Sequence, residues 1–411
     1  MKEYKLAKYS CYLMGVTTAI VSSLSPLLFV TFRESYGTSY TLLGFLVVVN
    51  FLTQLAVDLV LSFFSHKLNI ELLIRKMPVI AFLGIIIYAV MPMAFPRFAY
   101  LWIALGTFVF SASSGLCEVL TSPIIAAIPS DNPEKEMSKF HSVYAWGLVF
   151  VVIIGSVILH IIGDENWYYL ALIFSTVPLI ASFTFAKAAL PPLEISAGTE
   201  KEGSMRGLLI FVLFIFIAGS AECTMTQWVS GYAERALGIP KMIGDVFGMA
   251  AFGFLLAIGR TLHSRGLDTA RTLKIGIVGA FFTYVIATLS PYPYLGLAAC
   301  ALTGYFTAVL WPGSLILMSE RFPMAGVTAY ALMASGGDLG VSVAPQLVGV
   351  IADLFAKSTM AERISDLSGM TPEEIGMRAG LLIGSLFCVL GFIILLRILK
   401  QRKNNEAIYK G

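Results

Sequence analysis

Apolar residues run along this chain in long blocks separated by short polar breaks. A bilayer's hydrocarbon core is crossed by about 20 mostly apolar residues in a helix. Twelve blocks qualify: 9–32, 39–64, 77–95, 99–127, 140–162, 167–187, 207–232, 243–262, 272–290, 294–319, 325–352 and 378–398. The pattern predicts an all-α polytopic membrane protein of twelve transmembrane helices. The first block follows a short basic stretch, Met1 to Lys8, and is too long for a cleaved signal segment. It is expected to be the first membrane helix.

The longest polar breaks divide the chain. Pro191-Pro192 opens a stretch rich in Pro, Gly, Ser and charge that runs to Ser204, which predicts a solvated linker. The expected organisation is a six-helix bundle over 1–188, a linker over 189–206 and a second six-helix bundle over 207–411. A second long loop is expected over 354–376, where Thr371-Pro372-Glu373-Glu374 has the form of a capping box that starts the last helix. The halves also repeat. Gly115 and Pro123 in the fourth predicted helix recur as Gly304 and Pro312 in the tenth, and the same offset carries Gly147 onto Gly336. Parallel repeats of this kind build many carriers.

Composition agrees with lipid as the solvent. The chain is 57% hydrophobic and only 13% charged, against about 25% charged in ordinary soluble domains. The net charge of +3 is too small to suggest nucleic acid. Seven of the 28 Lys and Arg residues (Arg33, Arg97, Arg235, Lys241, Lys357, Arg363 and Arg378) fall on one side of the predicted spans, and the rest fall on the other. Basic residues collect on the cytoplasmic side, so both termini are expected in the cytoplasm and the chain in the plasma membrane. Cys11, Cys117, Cys223, Cys300 and Cys388 each lie in an apolar run without CxxC spacing, which fits buried small hydrophobes rather than disulfides or a metal site.

Polar residues inside the spans are the candidates for function, because an ionisable group at mid-bilayer costs roughly 2.5–3.5 kcal/mol on insertion scales and is kept out of lipid. Asn50, Gln54 and Asp58 share one face of the second predicted helix; the stripe is either part of a solute site or a seam between helices. Glu118 precedes Thr121, Ser122 and Pro123, where proline loosens the fourth helix; it is either a site for a proton or a hydroxyl-rich ligand or the internal partner of an Arg or Lys. Glu222, Gln227 and Trp228 bring carboxylate, amide and aromatic face to the seventh helix, a combination suited to a sugar-like solute; packing is the other reading for Trp228. Asp338 follows Gly336-Gly337 in the eleventh helix, where it suits either a bending gate or a buried partner for a basic group. Arg260 closes the eighth helix, where snorkelling to the interface explains it cheaply and pairing with an interior carboxylate is the alternative. His141 and His160 border the fifth helix, Trp146 and Trp311 flank the repeat region, and Trp102 and Trp167 fit an interfacial belt.

No Walker A, HExxH or GxSxG pattern occurs, so neither an ATP motor nor an enzyme is expected, and nothing asks for a cofactor or metal. The plan of six plus six helices resembles the major facilitator superfamily over nearly the whole length. Gly115 to Pro123, His141 to Gly147, Ala221 to Trp228, Gly259-Arg260, Leu310 to Gly313 and Gly337 to Gly340 resemble its fucose–proton symporter-like sugar-permease branch and a group of uncharacterised bacterial members. One segment departs from the family. The loop between its second and third helices usually reads Gly-x-x-x-Asp-Arg-x-Gly-Arg, whereas here it reads Phe64-Ser65-His66-Lys67-Leu68-Asn69-Ile70-Glu71.

The resemblance implies alternating access by two bundles. The expectation is a monomeric secondary transporter for a small polar solute such as a sugar or polyol, driven by protons or by sodium. Glu222, Gln227, Trp228, Asn50, Gln54 and Trp311 are the candidate substrate residues; Glu118, Asp338 and Asp58 are the candidate proton carriers, since desolvation favours the protonated form of a carboxyl group. The rival readings are a proton-driven drug or metabolite exporter and a membrane solute sensor without transport.

Overall fold

The computed structural model describes residues 4–64, 67–130, 133–192, 205–263, 268–322 and 327–410. Sixteen α-helices account for most of them: α1 Lys5–Leu27, α2 Phe29–Tyr36, α3 Tyr40–Phe64, α4 Ile70–Ala94, α5 Ala99–Ala127, α6 Pro133–Ile162, α7 Trp167–Lys187, α8 Met205–Arg235, α9 Lys241–Gly244, α10 Ala251–His263, α11 Thr269–Leu289, α12 Pro293–Thr307, α13 Leu310–Arg321, α14 Val327–Ala356, α15 Thr359–Ser368 and α16 Pro372–Lys410. Among the described residues eleven segments are long and apolar enough to cross a membrane, and Trp146–Ile162 of α6 adds a shorter apolar twelfth. Large apolar side chains such as Leu101, Ile161 and Phe183 stand exposed along these helices. A soluble fold would bury such groups, whereas lipid solvates them.

Helix breaks explain why sixteen helices serve twelve spans. The first predicted block is broken within: α1 ends with Pro26 in its last turn, and the chain restarts as α2, which Gly37 closes in the left-handed conformation at φ 63°. The eighth block comprises α9, a π-helical turn over Asp245–Ala250, and α10. The tenth is split into α12 and α13 just before Trp311-Pro312. The expected loop over 354–376 contains α15, capped by Ser358, whose hydroxyl accepts the Ala361 amide at 3.1 Å. The capping box that opens α16 is reciprocal: Thr371 N–H donates to Glu374 Oε2 at 3.0 Å and Glu374 N–H donates to Thr371 Oγ1 at 3.2 Å.

Two compact units emerge. One comprises Met1–Thr38 with Phe45–Ser196, and the other comprises Ser39–Gly44 with Ala197–Gly411. Most of the expected linker, 193–204, lies outside the described residues. The glycines of the sequence repeat make equivalent contacts within each unit. Gly115 of α5 packs on α3, where a Cβ would come within 2.9 Å of Val57. Its counterpart Gly304 of α12 packs on α10, against the Phe252 carbonyl. A Cβ on Gly147 of α6 would come within 3.0 Å of Ala19 of α1, and one on Gly336 of α14 within 2.6 Å of Val212 of α8. Each pair sets the same two helices of a unit side by side, which is the structural content of the repeat.

Arginines tie down helix ends. Arg75 of α4 pairs with Glu71 and donates to the Phe185, Ala186 and Ala188 carbonyls at the end of α7. Arg378 of α16 donates to the carbonyls of Thr288 and Ser290 at the end of α11 and of Ala236 after α8. Both answer carbonyls that a helix end leaves without intrahelical donors. Trp167, expected in an interfacial belt, is instead buried against Phe32 and Tyr88 at centroid distances of 5.0 and 5.6 Å.

Within the second unit, the Asp353 carboxylate of α14 caps the start of α3. It accepts the Tyr40 amide at 3.2 Å, the Thr41 amide at 2.7 Å and the Thr41 hydroxyl at 2.7 Å. Removing a helix cap costs about 1 kcal/mol. Asp353→Ala is therefore expected to speed hydrogen exchange at the Tyr40 and Thr41 amides roughly fivefold or more, leaving amides in the middle of α8 unchanged. Equal protection in the variant would show that this carboxylate does not hold the helix start.

Candidate functional site

In the first unit the polar stripe of α3 is joined to α5. Ser111 Oγ donates to Asn50 Oδ1 at 2.6 Å, and Gln54 Nε2 donates to the same oxygen at 3.0 Å. All three side chains are buried, so Asn50 and Gln54 sit in a hydrogen-bonded seam between helices. Asp58, one turn further on, is half-buried. Ser111 carries the seam and was not singled out in the sequence, because it lies on another helix from the stripe.

Glu118 stands apart. It lies mid-way along α5, its side chain is exposed, and among the described residues it has no hydrogen-bond or ion-pair partner. A carboxylate does not face hydrocarbon, so its exposure places it towards water inside the spans. Its neighbours Cys117 and Thr121 face inward and are buried, with Thr121 Oγ1 donating to the Cys117 carbonyl at 2.6 Å.

In the second unit the key contact is an ion pair. Arg260 Nη2 lies 2.9 Å from both carboxylate oxygens of Glu222. The Arg260 side chain is 44% exposed and that of Glu222 17%. Thus Arg260 does not snorkel away to the interface; its guanidinium turns inward to the middle of α8. The reason lies in a third helix. Pro312 has no N–H, so the carbonyl four residues earlier, that of Ala308, loses its intrahelical donor. Arg260 Nε supplies a substitute at 3.3 Å. The helix break between α12 and α13 and the position of the guanidinium are thus one arrangement. Only a three-dimensional view joins Arg260, Glu222 and Pro312, although all three residue types were visible in the chain.

Asp338 of α14, like Glu222 and Arg260, acts electrostatically on the Cys223 thiol. Trp311 is wedged between helices: a Cβ on Gly337 would fall on its ring, and one on Gly219 would come within 3.1 Å of it. Gln227 is buried. Trp228 is fully buried, donates its indole N–H to the Pro345 carbonyl at 2.9 Å and meets Tyr40 edge-on; every polar capacity of that ring is used in packing. A further buried carboxylate, Asp245 in the π-helical turn, is bonded to Ser230. It escaped notice because it opens an apolar block and reads as a loop residue. His160 is exposed, and the side chain of His141 lies outside the described residues. Among the described residues no group of three His, Cys, Asp or Glu is placed to hold a metal ion.

Membrane-length helices in two repeated units, with charged side chains gathered inside the spans, define a multi-pass integral membrane transport protein. The sequence matches the Major Facilitator Superfamily over residues 11–345, and the chain belongs to that superfamily. Among curated proteins none matches the sequence. Its fold is similar to that of a bacterial homolog of the human lysosomal transporter Spinster in an inward-facing, occupied conformation, with TM-score 0.76, 12% identity and 97% of each chain covered. The fucose:proton symporter of E. coli aligns with TM-score 0.59 and 14% identity, over 96% of this chain and 99% of that one. A D-xylose–proton symporter aligns with TM-score 0.64 and 16% identity, over 93% and 95%. At such identities the likeness establishes the fold.

Proposed function

We propose that this transporter moves a small polar solute together with a proton by alternating access, acting as a monomer in the plasma membrane with both termini in the cytoplasm. The observation that carries the reading is the Glu222–Arg260 ion pair of the second unit. Such a pair is costly in a membrane and suits a polar solute. The domain plan follows the sequence: a bundle over 1–188, a linker over 189–206 and a bundle over 207–411.

Glu118 and Asp338 are the proposed proton carriers. For Glu118 the support is its exposure without a described partner: with no cation beside it among the described residues, protonation is the neutralising step open to it. The symporters of fucose and D-xylose among the similar folds are in keeping with proton coupling. An exporter of hydrophobic compounds fits less well, since a paired guanidinium and carboxylate offer such a compound nothing.

The test is solute-induced proton entry into proteoliposomes holding a pH dye, across a panel of neutral sugars, polyols and small organic acids. Acidification of the lumen by one solute, absent from protein-free vesicles, is the expected result. Silence across the panel, combined with gradient-driven extrusion of a hydrophobic dye, would overturn symport of a polar solute.

A further inference from the structure

The Glu222–Arg260 pair is unequal in a way that bears on the solute. A guanidinium presents five N–H donors in a planar fork. Here Nε–H is spent on the Ala308 carbonyl and Nη2 on both oxygens of Glu222. Glu222 therefore grips a single nitrogen rather than two in parallel. Among the described residues no protein group meets Nη1, and the side chain remains 44% exposed. The guanidinium is consequently fixed in place from one side and open along the Nη1 edge.

That edge has a chemical preference. Nη1 carries two diverging N–H groups, so a carboxylate docking there takes a charge-assisted bond about twice as strong as a neutral one, and gains a parallel second bond only by drawing Nη2 from Glu222. A hydroxyl can accept from the same edge but leaves the cation unneutralised. Holding the fork rigidly in advance lowers the entropy lost on binding, and the bond to Ala308 does this without depending on Glu222. Arg260 thus has two restraints, one of which survives if Glu222 is drawn away.

We propose that the solute is a small hydroxylated carboxylate, whose carboxylate docks on the open Nη1 edge of Arg260 while Glu222 competes for the same guanidinium. This rests on the transport reading above and narrows its substrate class from sugar or polyol to sugar acid.

Matched pairs test this on the full-length protein in proteoliposomes: gluconate against sorbitol, and glucuronate against glucose, each followed by luminal acidification. The expected result is acidification with at least one acid and none with its neutral partner. Arg260→Gln should weaken the half-saturating acid concentration by at least about tenfold, as expected when one charge-assisted contact is lost. Glu222→Gln, which removes the competitor, should tighten binding of the acid severalfold, measured by ligand-induced thermal shift of the detergent-purified protein. Because Arg260→Gln also strips the Ala308 carbonyl of its donor, its thermal midpoint without ligand is compared with that of Arg260→Lys. Lysine restores the charge but not the fork, and should recover only part of the acid affinity. Acidification driven by sorbitol or glucose and unaffected by Arg260→Gln would overturn the carboxylate proposal and leave solute–proton symport standing. Silence with every acid and every neutral partner would overturn both.

Discussion

Replacing Gly340 by alanine will loosen the second unit. Gly340 lies where α14 crosses α8, and a Cβ there would fall on the backbone carbonyl oxygen of Phe216 and lie 3.0 Å from Ser220 Oγ. The contact is close enough that Ser220 Oγ reaches the Gly340 carbonyl at 3.3 Å. Alanine is favoured over glycine by about 1 kcal/mol inside a helix, so on propensity alone the change is stabilising. Overpacking costs about 1–3 kcal/mol and more where nothing can give. The obstacle here is main chain, which cannot swing aside as a flexible side chain does. The clash therefore wins, and the thermal midpoint in detergent should fall by several degrees. Gly15→Ala supplies the control: its Cβ would meet Val143 at 3.4 Å, an ordinary contact, so that variant should be as stable as the parent or slightly more so. A Gly340→Ala protein that melts with the parent would mean that α8 and α14 do not approach as closely as described.

Membrane solvation makes the sequence unusually readable in one respect and opaque in another. Apolar blocks of about 20 residues are forced by the bilayer's thickness and by the need to satisfy every backbone group internally, so the spans could be located without knowing any contact. The block over 99–127 coincides with α5 from Ala99 to Ala127. Breaks inside blocks were not visible, because Pro26 and Pro312 interrupt helices without interrupting hydrophobicity. The helix α15 leaves no apolar signature for the opposite reason: Glu362, Arg363 and Asp366 make it polar.

Side-chain direction was the second blind spot. A polar residue in a span must face protein or water, but the sequence does not say which. Asn50 and Gln54 face protein, where Ser111 completes their bonds. Trp228 has the composition of a solute platform, yet its ring is fully buried, whereas Trp311, beside Gly337, is half-buried. Arg260 looked like an interfacial residue because it stands within one turn of the end of α10. An arginine side chain is long enough to point either way, and the unpaired carbonyl opposite Pro312 decides the matter. Function in this fold is thus written less in which residues lie inside the membrane than in which helix irregularity each one answers.

Glu118→Gln will abolish proton-driven accumulation while sparing exchange. Glutamine copies the shape of a protonated glutamate and removes the titration, so a carrier that needs a neutral residue at this position to reorient will hold it permanently. Exchange of labelled for unlabelled solute across vesicles without a gradient should then proceed at near the parental rate, whereas accumulation against a gradient should drop at least about tenfold, the equivalent of roughly 1.4 kcal/mol of lost driving force. Folding should not suffer, since among the described residues Glu118 has no ion-pair partner that the change would strand. The contrast with Glu222→Gln is informative. That substitution releases Arg260 from its carboxylate and should alter solute affinity first. Accumulation that persists in Glu118→Gln would move the proton to Asp338, and loss of both accumulation and exchange would make Glu118 part of the solute site rather than the coupling device.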